Sequence, residues 1–140
     1  MIVQTQCTSF KVNLLKGLEN FNTGSPYTYK IALYNANADL DASTTVYTSS
    51  NEATGTGYTA GGLVLVPTVP TSGNTTAFIN FANVSWPSSS FTARGALIYN
   101  SNTSAAVAVL NFGSDKTVSN QTFTVTFPAA TSDTAVIRIS

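Results

Sequence analysis

The amino-acid sequence predicts an all-β fold, an antiparallel β-sandwich (jelly-roll or immunoglobulin-like) of about eight short strands with one short N-terminal helix. Three observations predict it. From Tyr27 onward the chain is dominated by Thr, Val, Ile, Tyr and Phe, the residues that suit a pleated, half-buried surface. Clusters of Asn, Ser, Gly and Pro interrupt it every ~8–12 residues, the spacing of turns between short strands. A single segment, Ser9–Leu18, carries apolar residues at helical rather than alternating spacing. At 140 residues the chain suits one domain. No linker, composition break or internal repeat divides it. The expected layout is an N-terminal arm over residues 1–8 and one sandwich domain over residues 9–140, with the helix at 9–19.

The elements follow in order. Met1–Thr8 has neither charge nor a regular period, so it reads as an extended arm whose Ile2 and Val3 pack on a neighbouring chain. Ser9 is the expected N-cap of the helix, and Phe10, Leu14, Leu15, Leu18 and Phe21 form its apolar stripe. Gly17 weakens the helix, and Asn20, Asn22 and Gly24 end it. Tyr27–Tyr34 alternates, with Tyr27, Tyr29, Ile31 and Leu33 on one face. Thr45–Thr48 is a short strand. Asn51–Gly62 holds four glycines in twelve residues and reads as a structured loop. Leu63–Val66 is an apolar strand closed by Pro67 and Pro70. Thr76–Phe81 is a further strand. Phe91–Tyr99 and Ala105–Phe112 flank a hairpin loop at Asn100–Ser104. Phe123–Phe127 alternates, and Ala135–Ile139 closes the fold.

Composition excludes several functions. The chain carries 6 Lys plus Arg, 6 Asp plus Glu and no His, so charged residues are 9% of it, against about 25% in an average soluble protein. With 22 Thr, 16 Ser and 13 Asn, the surface is built from hydroxyls and amides instead. Zero net charge supplies no cationic field for a phosphate backbone, so no nucleic-acid partner is expected. The lack of histidine removes the Ser–His and Cys–His nucleophile pairs and most catalytic zinc sites. One cysteine, Cys7, excludes an internal disulfide, and with no basic neighbour nearer than Lys11 it reads as a small buried hydrophobe. Apolar runs such as Leu63–Val66 and Val107–Leu110 fall far short of the ~20 residues of a membrane helix, so no membrane partner is expected. Met1–Gln6 lacks the basic and apolar blocks of a secretory signal, which points to synthesis that stays in the cytoplasm. A chain so poor in charge also meets little repulsion against self-association.

The remaining chemistry is thin. Gly55-Thr56-Gly57 with Gly61-Gly62 resembles a phosphate cradle only superficially, because no Gly-Lys-Ser/Thr follows and no helix starts there. Asp39 and Asp41, beside Asn35 and Asn37, offer oxygens to calcium but are also ordinary turn formers. Asp39, Asp41, Glu52, Asp115 and Asp133 supply acid–base groups, yet no spacing brings two of them to one cleft, as a glycosidase requires. Sequons at Asn74, Asn83, Asn102 and Asn120 are what a chain rich in Asn, Ser and Thr produces by chance. The expectation is therefore no enzyme, no cofactor and no metal. Arg94 stands out, because it interrupts an otherwise apolar strand just before Gly95. It is either solvated or paired with a carboxylate, Asp115 or Glu52, within the domain or at an interface.

Four strings carry a resemblance. They are Tyr29–Tyr34, Asn51-Glu52 leading to Gly57–Gly62, Ala93–Asn100 and Val109–Lys116. Together with the Phe10–Gly17 start, they resemble, in the same order over nearly the whole chain, a family of small virion proteins encoded by tailed bacteriophages. The resemblance implies a virion structural protein and carries over no catalytic or ligand-binding residue. Among small phage β-domains the leading role is a capsid decoration or cement protein. Such a protein lies on the capsid surface, commonly as a homotrimer, and bridges subunits of the major capsid protein. The alternative is a tail or head-fibre module that binds the host surface, with Tyr58 and Trp86 as aromatic platforms for sugars.

Overall fold

The computed structural model describes residues 1–140. Its organising element is a long two-stranded ribbon, made by Val84–Asn100 (β6) and Ala106–Val125 (β7) joined by a five-residue turn. Around it lie Thr5–Gln6 (β1), a helix over Thr8–Leu15 (α1), Tyr29–Tyr34 (β2), Leu63–Leu65 (β3), Thr71–Gly73 (β4), Thr76–Ile79 (β5) and Ile137–Ile139 (β8). Five strands form one antiparallel sheet in the order β1-β7-β6-β2-β3, and three form a second in the order β4-β5-β8. Side chains from both sheets, from α1 and from the segment between β2 and β3 share one hydrophobic core. The protein is thus mostly β, with antiparallel sheets packed together in a sandwich-like arrangement.

The strands follow from the chain's β-branched and aromatic content, but several differ from expectation. Phe91–Tyr99 is a piece of β6, and most of Ala105–Phe112 and the first part of Phe123–Phe127 are pieces of β7; at 17 and 20 residues both exceed ordinary strand length. The ribbon keeps running because its irregularities are absorbed as bulges. Pro87, which has no N–H to give, lies in the irregular stretch between Trp86 and Ser89. The largest irregularity is near the middle. Ala93 faces Lys116 and Gly95 faces Asn111, so Phe112–Asp115 bulge out opposite Arg94. Beyond that bulge Trp86, Phe91 and Phe123 pack edge-on or tilted, with ring centroids 5.0–6.4 Å apart. Each such pair contributes about 0.5–1.5 kcal/mol beyond its area burial.

β2 does not alternate between core and solvent. It lies between β6 and β3, and Ile31, Ala32, Leu33 and Tyr34 are all sealed, so both faces are covered. Thr45–Thr48 is not a strand. It touches the turn of the β6–β7 ribbon through one bridge, Val46 to Ala105, while Tyr47 N–H donates to the Ser104 carbonyl.

The helix is shorter than its apolar pattern suggested. Cys7, not Ser9, occupies the N-cap position and makes no side-chain cap, while the Ser9 hydroxyl donates to the Thr44 carbonyl. Gly17, at φ +73°, ends the helix outright. Leu18 N–H donates to the Asn13 carbonyl and Gly17 N–H to that of Leu14, the two bonds of a Schellman cap. Once that cap turns the chain, only Phe10 of the stripe is fully buried within α1, and Leu15 is left 90% exposed.

The expectation of a free arm over residues 1–8 is overturned. Val3 N–H donates to the Leu40 carbonyl and Leu40 N–H to that of Met1, while β1 pairs with Ala108 and Val109 of β7. Ile2 is only 6% exposed, because Gly95 makes room for it. A Cβ at position 95 would sit 2.9 Å from two atoms of the Ile2 side chain and 2.6 Å from the Leu110 carbonyl oxygen. These residues belong to their own domain.

Candidate functional site

Of the three residues singled out for an interface, Ile2 is sealed inside the domain and Val3 is half exposed, its backbone bonded to Leu40. Arg94 lies where the ribbon bulges. Its Nη1 stands 3.4 Å from Asp115 Oδ1, and the two side chains are 37% and 54% exposed. Asp115 is the last residue of the bulge, so the ion pair ties the bulged stretch of β7 back to β6. Glu52, the other candidate partner, is engaged elsewhere. A single contact at this distance in water contributes little. Arg94→Ala is therefore expected to lower stability by less than about 1 kcal/mol in urea unfolding. A loss of several kcal/mol would mean that the pair works as a buried one.

The glycine-rich segment Asn51–Gly62 is organised around Glu52, which is buried. Tyr47 O–H donates to its Oε1 at 2.6 Å, Gly61 N–H donates to its Oε2 at 2.7 Å, and Tyr58 O–H makes a very short bond to the same Oε2. Tyr58 also accepts from Leu33 N–H at 2.9 Å, which ties the loop to β2. Tyr99 O–H donates to the Gly61 carbonyl at 2.7 Å, and the Tyr47 and Tyr99 rings stack at 4.6 Å. Burial first, and the neighbouring Glu52 carboxylate second, hold the phenols of Tyr34, Tyr47, Tyr58 and Tyr99 above their ordinary pKa. The glycines here let the loop close over this carboxylate; the loop is a latch on the sheet and not a phosphate cradle.

A second buried carboxylate, Glu19, escaped the sequence reading. It follows the helix cap in a stretch with no strand or motif, and its partners lie far along the chain. Tyr29 O–H donates to Glu19 Oε2 at 2.7 Å and Asn100 Nδ2 donates to the same oxygen at 3.3 Å. Phe21 stacks on Tyr29 at 4.4 Å, so the segment after α1 is held on β2 by one carboxylate and one ring pair. Burial raises the Glu19 pKa above the ordinary carboxylate value, and the two hydrogen bonds only partly offset it. The native state thus binds this proton more tightly than the unfolded chain does. The stability linked to it is fully present below the ordinary carboxylate range and is lost as pH rises through the raised value. Glu19→Gln cannot titrate, so at neutral pH it should match or exceed the parent in stability. The parent's deficit should shrink as pH falls towards ~4, followed by thermal unfolding at a series of pH values. Parallel pH profiles of the two proteins would contradict this.

The other candidates are placed plainly. Asp39 meets the terminal ammonium of Met1 at 3.3 Å, and Asp41 Oδ1 accepts from the backbone and hydroxyl of Ser43. Asp41 acts as a turn former and Asp39 holds the N-terminus, and no cluster of three or more His, Cys, Asp or Glu is placed to hold a metal ion. Cys7 is sealed, and burial, with a smaller contribution from the Asp41 charge, pushes its thiol up to about 11. Tyr58 and Trp86, the proposed sugar platforms, face inward. Tyr58 is committed to Glu52, and Trp86 is 2% exposed among Phe91, Phe123 and Tyr58. The Trp86 Nε1–H is buried without a partner.

The ribbon carries a long open strand edge, beside the short edge strands β3, β4 and β8. β1 covers β7 only at Ala108 and Val109, so from Lys116 to Val125 β7 pairs with β6 alone and presents its other edge. The hydroxyls on its surface pair with one another, Ser85 with Thr124 at 3.0 Å and Thr92 with Thr117 at 2.8 Å. No protein-family model, curated protein or solved structure matches the chain.

Proposed function

We propose that this protein is a structural component of a tailed-bacteriophage virion, a decoration or cement protein that seats on the outside of the head as a homotrimer and bridges major capsid subunits. The observation that carries the reading is the free edge of β7 over Lys116–Val125, in which Lys116 is the one charged residue. An unpaired strand edge offers a row of backbone donors and acceptors for another chain to add to. Hydroxyls that already satisfy one another can be buried at a contact without stranding a charge. The buried carboxylates Glu19 and Glu52 spend their hydrogen bonds holding segments on the sheet, which suits a structural role better than acid–base work. The resemblance to small phage virion proteins supports the same reading.

Binding the assembled shell and not the free subunits would stabilise the shell by mass action. The host-binding alternative is weakened, since Trp86 is buried and the half-buried Tyr58 has its hydroxyl committed to Glu52 and Leu33. The test is densitometry of purified virions. A decoration protein is expected at a copy number that tracks the major capsid protein. A handful of copies per particle would assign it to the tail, and absence from virions would overturn the reading.

A further inference from the structure

A groove of about 240 Å³ runs between α1 with its following segment and the β4-β5-β8 sheet. Phe10, Leu14, Phe21, Ile79, Ile137 and Ile139 wall it, and Glu19 is the one charged residue that lines it. Glu19 is 6% exposed as a residue, and its carboxylate is half satisfied. Its Oε2 accepts from Tyr29 and Asn100, whereas Oε1 accepts nothing from the chain. The side-chain polar atom that is sealed without a partner is Trp86 Nε1, on the ribbon. Glu19 Oε1, equally unpartnered, is therefore not sealed, and Glu19 is one of the residues that line the groove. No lysine or arginine lines the groove to neutralise it.

We propose that this groove binds a primary alkylammonium group, with the ammonium donating to Glu19 Oε1 and the aliphatic stem lying along Phe10, Ile79 and Ile137. A carboxylate in an apolar wall selects for a cation that brings its own apolar body, because such a guest satisfies the oxygen and replaces water along the wall at once. The groove is smaller than the ~300–1,000 Å³ of pockets for drug-sized ligands, so the guest is the size of one side chain. A free alkylamine and the side chain of a lysine on another polypeptide present the same chemistry. The site stands independently of the virion reading. Desolvating the charge limits the gain, and a dissociation constant on the order of 1 mM is expected.

The experiment titrates the full chain with n-pentylammonium, n-pentanol and pentanoate at constant ionic strength, followed by amide chemical shifts. Saturable shifts confined to Phe21, Ala77–Ile79 and Ile137–Ile139 are expected with the ammonium, at least about tenfold weaker binding with the alcohol, and none with the carboxylate. Glu19→Gln should remove the preference for ammonium over alcohol. Ala77→Leu, on the exposed face of β5 at the groove, should weaken both, and it decides the matter if the Glu19 variant fails to fold. Nα-acetyl-lysine-N-methylamide separates the sources. Binding equal to pentylammonium supports a lysine side chain, and failure beside a positive pentylammonium result supports a free amine. Equal binding of the three pentyl probes, or no saturable shift with the ammonium, overturns the proposal.

Discussion

Replacing Glu52 with alanine is expected to cost about 4 kcal/mol of folding stability, a large share of what a domain of this size holds. Three donors end on this carboxylate, from Tyr47, Tyr58 and Gly61. Hydrogen bonds to a charged group are worth ~1.5–3 kcal/mol each, and a donor left buried without a partner adds its desolvation penalty. The three share one acceptor group, so their losses overlap and do not sum. Glu52→Gln keeps the shape and one acceptor oxygen but turns an amide N–H₂ towards a phenol, and about 2 kcal/mol is expected. Tyr47→Phe removes one bond at the half-buried end and should cost about 1 kcal/mol. Urea unfolding of the three variants should give this order. A loss under 1 kcal/mol for Glu52→Ala would mean that water replaces the carboxylate and that the latch is ornamental.

The second large effect belongs to Gly62. A Cβ there would overlap the Ile31 carbonyl oxygen and lie 2.6 Å from its carbon and 2.9 Å from Ala32 Cα, at φ +76°. β2 cannot move aside, because it is hydrogen-bonded to β6 and β3 and packed on both faces. Gly62→Ala therefore combines left-handed strain of ~1–2 kcal/mol with a backbone collision that the core resists at ~1–3 kcal/mol or more. We expect a loss of about 4 kcal/mol or failure to accumulate folded protein. Gly17→Ala is the control. It has φ +73° with nothing within 4 Å of the added methyl, so it should lose only the ~1–2 kcal/mol of conformation. Equal losses at the two positions would show that backbone angle, and not the approach to β2, governs Gly62.

The sequence was legible where the physics is local. The hairpin turn at Asn100–Ser104, the apolar strand Leu63–Leu65 and the helix start at Phe10 all lie near where residue type and period put them. It was illegible where a distant partner decides. The expected strand began at Phe91, yet the bulged pairing with β7 carries β6 back through Pro87 to Val84. Ile2 looked like an apolar residue in search of another chain, and its seat is the gap at Gly95 of its own. For the candidate site the pattern is the same. Arg94 was found because a charge breaks an apolar run, and Asp115 lies near enough in the ribbon to be named. Glu19 gave no signal, since Tyr29 and Asn100 are meaningful partners only after β2 and β6 have paired.

The long ribbon also sets an order in time. β6 and β7 are joined by a short turn, so their pairing closes a small loop. β1 instead must find Val109 from Thr5, across most of the chain. Closing the larger loop costs more chain entropy and returns only a two-residue strand. The ribbon should therefore form early, β2 should add to it, and the N-terminal strand should dock last, in a fold whose distant pairings place it among slow, millisecond-to-second folders. The same asymmetry runs in reverse. Amides of β1 are expected to exchange with solvent through a local opening of low free energy, while those of β2 and of β6 between Ala96 and Tyr99 exchange only when the whole domain unfolds.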